Sequence, residues 1–408
     1  MDSITTQGVE VRQKRMKVKL SVLIVNLLVI IVFLQNTLWP VWNFWFPLLF
    51  LCFCLTTFLM IPRIISHRPV DAYIVIYTIA LLTFFILFQS FQDFRTSSFV
   101  TVLIFFELYF LTDSEKNQVI DKITSVLAVI IAISLPLWLI NQHLFELPFG
   151  YDMKYGDWKG KNQTLVIENY YFFIQPKLGG INRFYSIFDE PGTLGTLAAF
   201  ILFVNKYNFR DKRVWIISAG AFFTFSFAFF ILTFVGLALF FIRKPRLLII
   251  YGIITIVLIF LIFHLFKENL TFRTQVLSRL PSLESSLETR TEDETKSYFA
   301  SYITSMGSVM GKGTSFLEKN PSLLGQGYQF FMIENGFVGL ILVLGMYLLV
   351  KGKNKFLMYS YLLLFLMSFI QRPFLFTPYQ IIVYHCGIAS LNFISEKVRS
   401  RNYKPETL

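Results

Sequence analysis

Charged residues are scarce in this chain: Asp, Glu, Lys and Arg make up 15% of 408 residues, against about 25% in an ordinary soluble domain. A surface built to face water on all sides is thereby excluded. Cysteine is nearly absent. Cys52, Cys54 and Cys386 all fall in apolar stretches, which leaves neither a disulfide framework nor a zinc-binding spacing. Phosphate-binding Gly-rich loops, the dinucleotide glycine pattern, HExxH and GxSxG are all missing, so an NTP-driven pump and the common hydrolases are disfavoured. No short Asp-x-Asp cluster offers a divalent ion to a nucleotide-sugar donor. The expectation is a protein without metal or other cofactor.

Apolar runs are abundant. Hydrophobic residues make up 55% of the chain, and stretches such as 20–34, 44–61 and 247–265 match, or nearly match, a hydrocarbon core of about 30 Å. The expected fold class is an all-α polytopic membrane protein of about twelve transmembrane helices with two large outer loops. Helices are expected near 20–38, 41–61, 70–90, 97–112, 119–142, 192–205, 247–265, 330–350, 356–370 and 379–395. The segment 214–242 is long for one helix and has basic residues on both flanks, so two short helices turning around Thr224 to Ser226 are expected there. The organisation is then a cytoplasmic 1–19, helices 1–5 in 20–142, a first loop in 143–191, helices 6–9 in 192–265, a second loop in 266–329, helices 10–12 in 330–395 and a cytoplasmic 396–408.

The formal net charge of +12 invites a nucleic-acid reading, and its location argues against one. The two loops hold 12 basic and 13 acidic side chains, so the positive excess lies elsewhere. Much of it sits in the short segments 63–68, 206–213, 243–246, 351–355 and 397–404. That is the positive-inside pattern, and it places both termini in the cytoplasm and both loops outside. The basic amino-terminal segment reads as the lead into a retained first helix, not a cleaved signal.

Neither loop has the composition of a solvated tether. Tyr151, Tyr155, Trp158, Tyr170, Tyr171, Phe172 and Phe173 crowd the first. In the second, Tyr298, Phe299, Tyr302, Met306, Val309 and Met310 recur at helical spacing, interrupted by Gly307, Gly311 and Gly313. Arginines on the outer side run against the positive-inside trend and are therefore informative. Arg183 precedes Asp189, Glu190 and Pro191, a sequence suited to a first helical turn; the two acids either cap that helix or line a polar site. Gly192 and Gly195 suit close helix packing. Arg273, Arg279 and Arg290 in the second loop, with Arg372 at a later helix end, are candidates for gripping phosphate, since a guanidinium binds it bidentately and stays charged beside lipid. The alternative is that they neutralise the acidic run 284–294. Glu107 lies mid-span, a functional candidate by default or a partner for a neighbouring helix. His143, His264 and His385 form a remote possibility for a metal site.

The stretch RFYSIFDEPGTLGTL at 183–197, with LGQGY at 324–328 and ENGFVGL at 334–340, resembles motifs of bacterial O-antigen and capsule polymerases, the Wzy family. The order of features agrees along almost the whole chain. The resemblance implies a metal-independent glycosyltransferase in the bacterial inner membrane that polymerises undecaprenyl-pyrophosphate-linked repeat units on the periplasmic face. It implies a lipid-linked glycan substrate in the bilayer, and a chain-length regulator and a flippase as partners. Arg183, Glu190, Asp189 and Arg290 would be catalytic; Arg273, Arg279, Arg372, Tyr185 and Tyr328 would bind substrate. The related O-antigen ligases carry a histidine late in the second loop, and none occurs between Lys267 and Gln329. A flippase for the same lipid-linked sugars and a non-catalytic assembly factor are the other classes in view.

Overall fold

A computed structural model describes residues 19–35, 45–66, 71–88, 96–148, 150–155, 165–177, 183–242, 293–320, 327–350, 352–372 and 374–402, together with single positions between them. The helices are α1 (Lys19–Leu34), α2 (Trp45–Ser66), α3 (Ala72–Leu82, continued by a π-helical turn Thr83–Phe88), α4 (Thr96–Tyr109), α5 (Asp113–His143), α6 (Pro191–Val204), α7 (Lys212–Phe223) and α8 (Phe227–Phe241). After the second loop's first part come α9 (Asp293–Tyr302), α10 (Gly307–Met310), α11 (Thr314–Lys319), α12 (Tyr328–Leu348), α13 (Lys355–Gln371) and α14 (Pro378–Asn402). Among the described residues, α2, α5 and α12 are long and apolar enough to cross a membrane, and α1, α3, α4, α6, α8 and α13 are shorter apolar helices. The expected span 247–265 lies outside the described residues apart from Ile253 and His264.

Most expected helices recur within a few residues. The pair α7 and α8 turns at Thr224, Phe225 and Ser226, where two short helices were expected. Two boundaries differ by more: α14 runs seven residues past the expected 395, and α5 starts six residues before the expected 119. Thr112 and Glu115 form a reciprocal capping box there, so the polar run that hid the helix is the signal that starts it.

The chain is not all-α. The first loop contains a three-stranded antiparallel sheet, β1 (Tyr151–Tyr155), β2 (Leu165–Asn169) and β3 (Ile174–Pro176), in that order. Met153, Ile167 and Ile174 bury on one face of it against Tyr185. Period-two burial over three to five residues is too brief to stand out between aromatic clusters.

Helix α6 organises the interior. Every one of its residues is buried, as expected for a helix apolar on all sides, and it packs against α5, α7, α8, α13 and α14. Its small residues set the approach: a side chain at Gly195 would strike Ser226 and Phe229 of α8. On the opposite flank Phe200 stacks on Phe365 at 3.9 Å, and Phe203 on Tyr361 at 5.5 Å.

Candidate functional site

The start of α6 is where charge gathers. Pro191 opens the helix with its ring in the first turn, where the missing N–H costs nothing. Glu190 occupies the cap position in extended conformation, yet its side chain makes no capping bond. It turns instead to Arg372, just past the end of α13, whose Nη2 donates to the Glu190 carboxylate. Nη1 of the same guanidinium donates to the Thr193 hydroxyl at 2.9 Å, and that hydroxyl bonds Asp189 in turn. Asp189 also accepts from the Glu190 backbone N–H at 2.8 Å. One buried cation and two half-buried acids are thus tied together across a helix start and a helix end distant in sequence.

Arg372 is 5% exposed. A side chain at Gly192 would run into its guanidinium, so glycine there is what lets the arginine lie flat on the α6 terminus. Burial opposes its charge, but Glu190 and Asp189 more than compensate and hold its pKa above the ordinary value. Its Nε has no hydrogen-bond partner among the described residues, which leaves one edge of the fork unused. Asp189 is raised as well: withdrawal from water and the adjacent Glu190 push its carboxyl up to about 6, against the pull of Arg372.

Arg183 has a different partner. Its Nε donates to the Thr224 carbonyl at 2.8 Å and its Nη2 to the Phe225 carbonyl at 3.3 Å. The α7–α8 turn leaves those carbonyls outside the helical ladder, and Phe225 sits there at φ 45°. Arg183 therefore fastens the segment leading into α6 onto that turn, helped by Phe184 N–H to Phe223 O at 3.0 Å. Glu190 and Asp189, by contrast, act on Arg372. Tyr185 sits between the two arginine environments, half-buried; burial lifts its pKa to about 12 and Arg183 opposes the shift. Its ring packs on the small sheet core.

A second structured polar region lies where the second loop meets α12. That helix breaks at Gly336, at φ 64° and ψ −172°, freeing carbonyls that a continuous helix would satisfy. Lys312 N–H donates to Ile333 O at 2.8 Å, and Gly313 N–H to Glu334 O at 3.0 Å. The Tyr302 hydroxyl approaches Met332 O and Ile333 O, both at 3.4 Å. Side chains at Gly311 (φ 84°) or Gly336 would collide with each other's backbone neighbourhoods. The helix expected through Tyr298 to Met310 is accordingly divided, with α9 ending at Tyr302 and α10 resuming at Gly307.

Of the residues singled out from sequence, Asp189, Glu190 and Arg372 meet, with Arg183 and Tyr185 beside them. Tyr328 is apart, at the start of α12 with its ring 5.9 Å from Phe299. Arg273 is exposed at an isolated described position. Arg279 and Arg290 lie outside the described residues. Glu107 accepts from Thr57 of α2, the neighbouring-helix option. His385 bonds Met346 O at 3.2 Å, and no group of three potential metal ligands occurs among the described residues. Thr193 went unnoticed in sequence; its place one helical turn after Asp189 was the available signal. Comparison with family models, curated proteins and solved structures finds no match for this chain.

Proposed function

We propose that the protein is a polysaccharide polymerase of the bacterial inner membrane, joining repeat units carried on undecaprenyl pyrophosphate at its periplasmic face. The observation that carries this reading is the Arg372 guanidinium, buried and fixed by Glu190 and Thr193 at the start of α6, with Nε unused. It is a preorganised cation beside a carboxyl whose pKa lies near 6, the pairing that departure of a pyrophosphate and removal of a hydroxyl proton require.

In this reading the twelve-helix topology holds, and α6 starts at the periplasmic side. Its 14 residues span only about 21 Å at 1.5 Å per residue, less than the hydrocarbon thickness. The Arg372 cluster is then recessed below the interface, where water is sparse and a fixed charge acts strongly. The acceptor sugar hydroxyl attacks the anomeric carbon of the donor glycan. As that bond forms, the anomeric carbon–oxygen bond breaks, and the electron pair leaves with undecaprenyl pyrophosphate. Arg372 offsets the growing negative charge, and Asp189, in its ionised form, takes the hydroxyl proton. Arg183 positions the segment through the α7–α8 turn. Tyr185 and the aromatics of the first loop offer rings for sugar stacking, and Arg273, Arg279, Arg290 and Tyr328 of the second loop region are further contacts for the lipid-linked substrate.

The test is deletion of the gene in its host, followed by electrophoresis of the surface glycan. Collapse of a ladder to core plus one repeat unit supports polymerisation. Loss of every repeat unit points to a flippase or a ligase, and an unchanged ladder contradicts the proposal.

A further inference from the structure

The opposite end of the helices holds a cavity of about 490 Å³ that the polymerase reading does not use. It lies among the start of α3, the α4–α5 corner, the end of α12 and the middle of α14. This is the end that bears basic segments, with Arg63 and Arg213 paired to Glu115 and Asp121, each at 2.8 Å. The cavity's apolar lining includes Phe105, Leu349 and Ile388. Its charged lining is Lys116, Lys353 and Asp113.

Lys116 is the informative member. It is half-buried, and its ammonium makes no ion pair or hydrogen bond with any described residue. Asp113 on the exposed rim, and Glu115, itself held by Arg63 and by the Ser21 hydroxyl, act on it only through space. A half-buried ammonium that no side chain bonds directly keeps its donors free for an anionic ligand. His385 lines the cavity too, but its ring is bonded to Met346 O. Asn392 holds the rim in place, accepting from Lys353 N–H at 2.9 Å, and Lys353 lies exposed at the mouth.

We propose that this cavity binds the phosphate headgroup of an anionic phospholipid, with Lys116 inside and Lys353 at the mouth as its cationic contacts. A basic pocket between membrane helices is chemically suited to such a headgroup. The helices that flank it supply the surface for acyl chains: Ile76 of α3 and Ile341 of α12 are each 66% exposed. The lipid source is favoured over free phosphate because the cavity wall combines apolar rings with the two ammonium groups.

Native mass spectrometry of the detergent-purified protein, titrated with phosphatidylglycerol, tests this. Wild type is expected to retain one lipid at concentrations where Lys116→Gln retains none, a shift of about tenfold or more for losing one charge-assisted contact. Lys116→Arg should restore retention. If Lys116→Gln does not fold, Ala389→Leu fills the cavity without altering charge and should block the lipid equally. Equal retention by Lys116→Gln, or equal binding of phosphatidylcholine, overturns the proposal. Inorganic phosphate that displaces the lipid stoichiometrically at equal concentration overturns the lipid assignment.

Discussion

Two junctions between loop segments and helices hold this protein's polar regions together, and they do so by opposite means. At the start of α6 the joint is made of side chains: Arg372, Glu190, Thr193 and Asp189. At the break in α12 it is made of backbone: the N–H groups of Lys312 and Gly313 on the carbonyls of Ile333 and Glu334. A joint of ionised side chains responds to protons and to an incoming anion. A joint of backbone groups responds to neither, and depends on glycine at Gly311 and Gly336, where φ is positive and no side chain fits. Under the proposed function, the first junction carries the chemistry and the second is scaffolding.

The largest effect should follow from breaking the first joint on one side only. Glu190→Ala leaves the Arg372 charge buried without its main partner, a loss of about 3–5 kcal/mol in stability, to be read from denaturation in detergent; Glu190→Gln should lose less. Next comes Gly336→Ala, which forces an L-residue into a glycine conformation against the backbone of Val309 and Gly311. The strain alone costs about 1–3 kcal/mol, and hydrogen exchange should show the 307–313 segment released from α12 while the α6 start stays protected. Arg183→Ala removes two bonds to the α7–α8 turn, about 1–3 kcal/mol together, with faster exchange at 223–226 as the readout. The smallest effect is one of pH. Asp189 binds its proton more tightly folded than unfolded, so its stabilising contribution is complete below about pH 4 and is lost as pH rises through about 6. Asp189→Asn should flatten that slope, and should also remove an activity that in wild type rises with pH through the same range.

Much of the helical frame was legible because long apolar runs bounded by polar or basic segments mark where the helices lie. The α7–α8 turn was placed from the length of the segment and its basic flanks. The sheet in the first loop was not, since β1 to β3 are short and their pairing of Tyr151 with Asn169 and of Asn169 with Ile174 is set by tertiary register. At the site, Asp189 and Glu190 could be read as acids at a helix start, but their partner could not. Arg183 is six residues from Asp189 and Arg372 is 183 away, so sequence proximity does not reveal the Arg372 contact. What decides the pairing is Gly192, which opens a slot for the Arg372 guanidinium, and the unsatisfied carbonyls at Thr224 and Phe225, which engage Arg183 elsewhere.

The central claim is that Arg372, held by Glu190, is the cationic centre of glycan transfer. The most direct measurement is chain extension by the purified protein in proteoliposomes, supplied with a lipid-pyrophosphate repeat unit and read by mass spectrometry. Arg372→Lys keeps a charge but loses the fork that spans Glu190 and Thr193. The account predicts that this variant, with a melting temperature near wild type, yields no product beyond the single unit. Products as long as those of wild type from the same variant would contradict it.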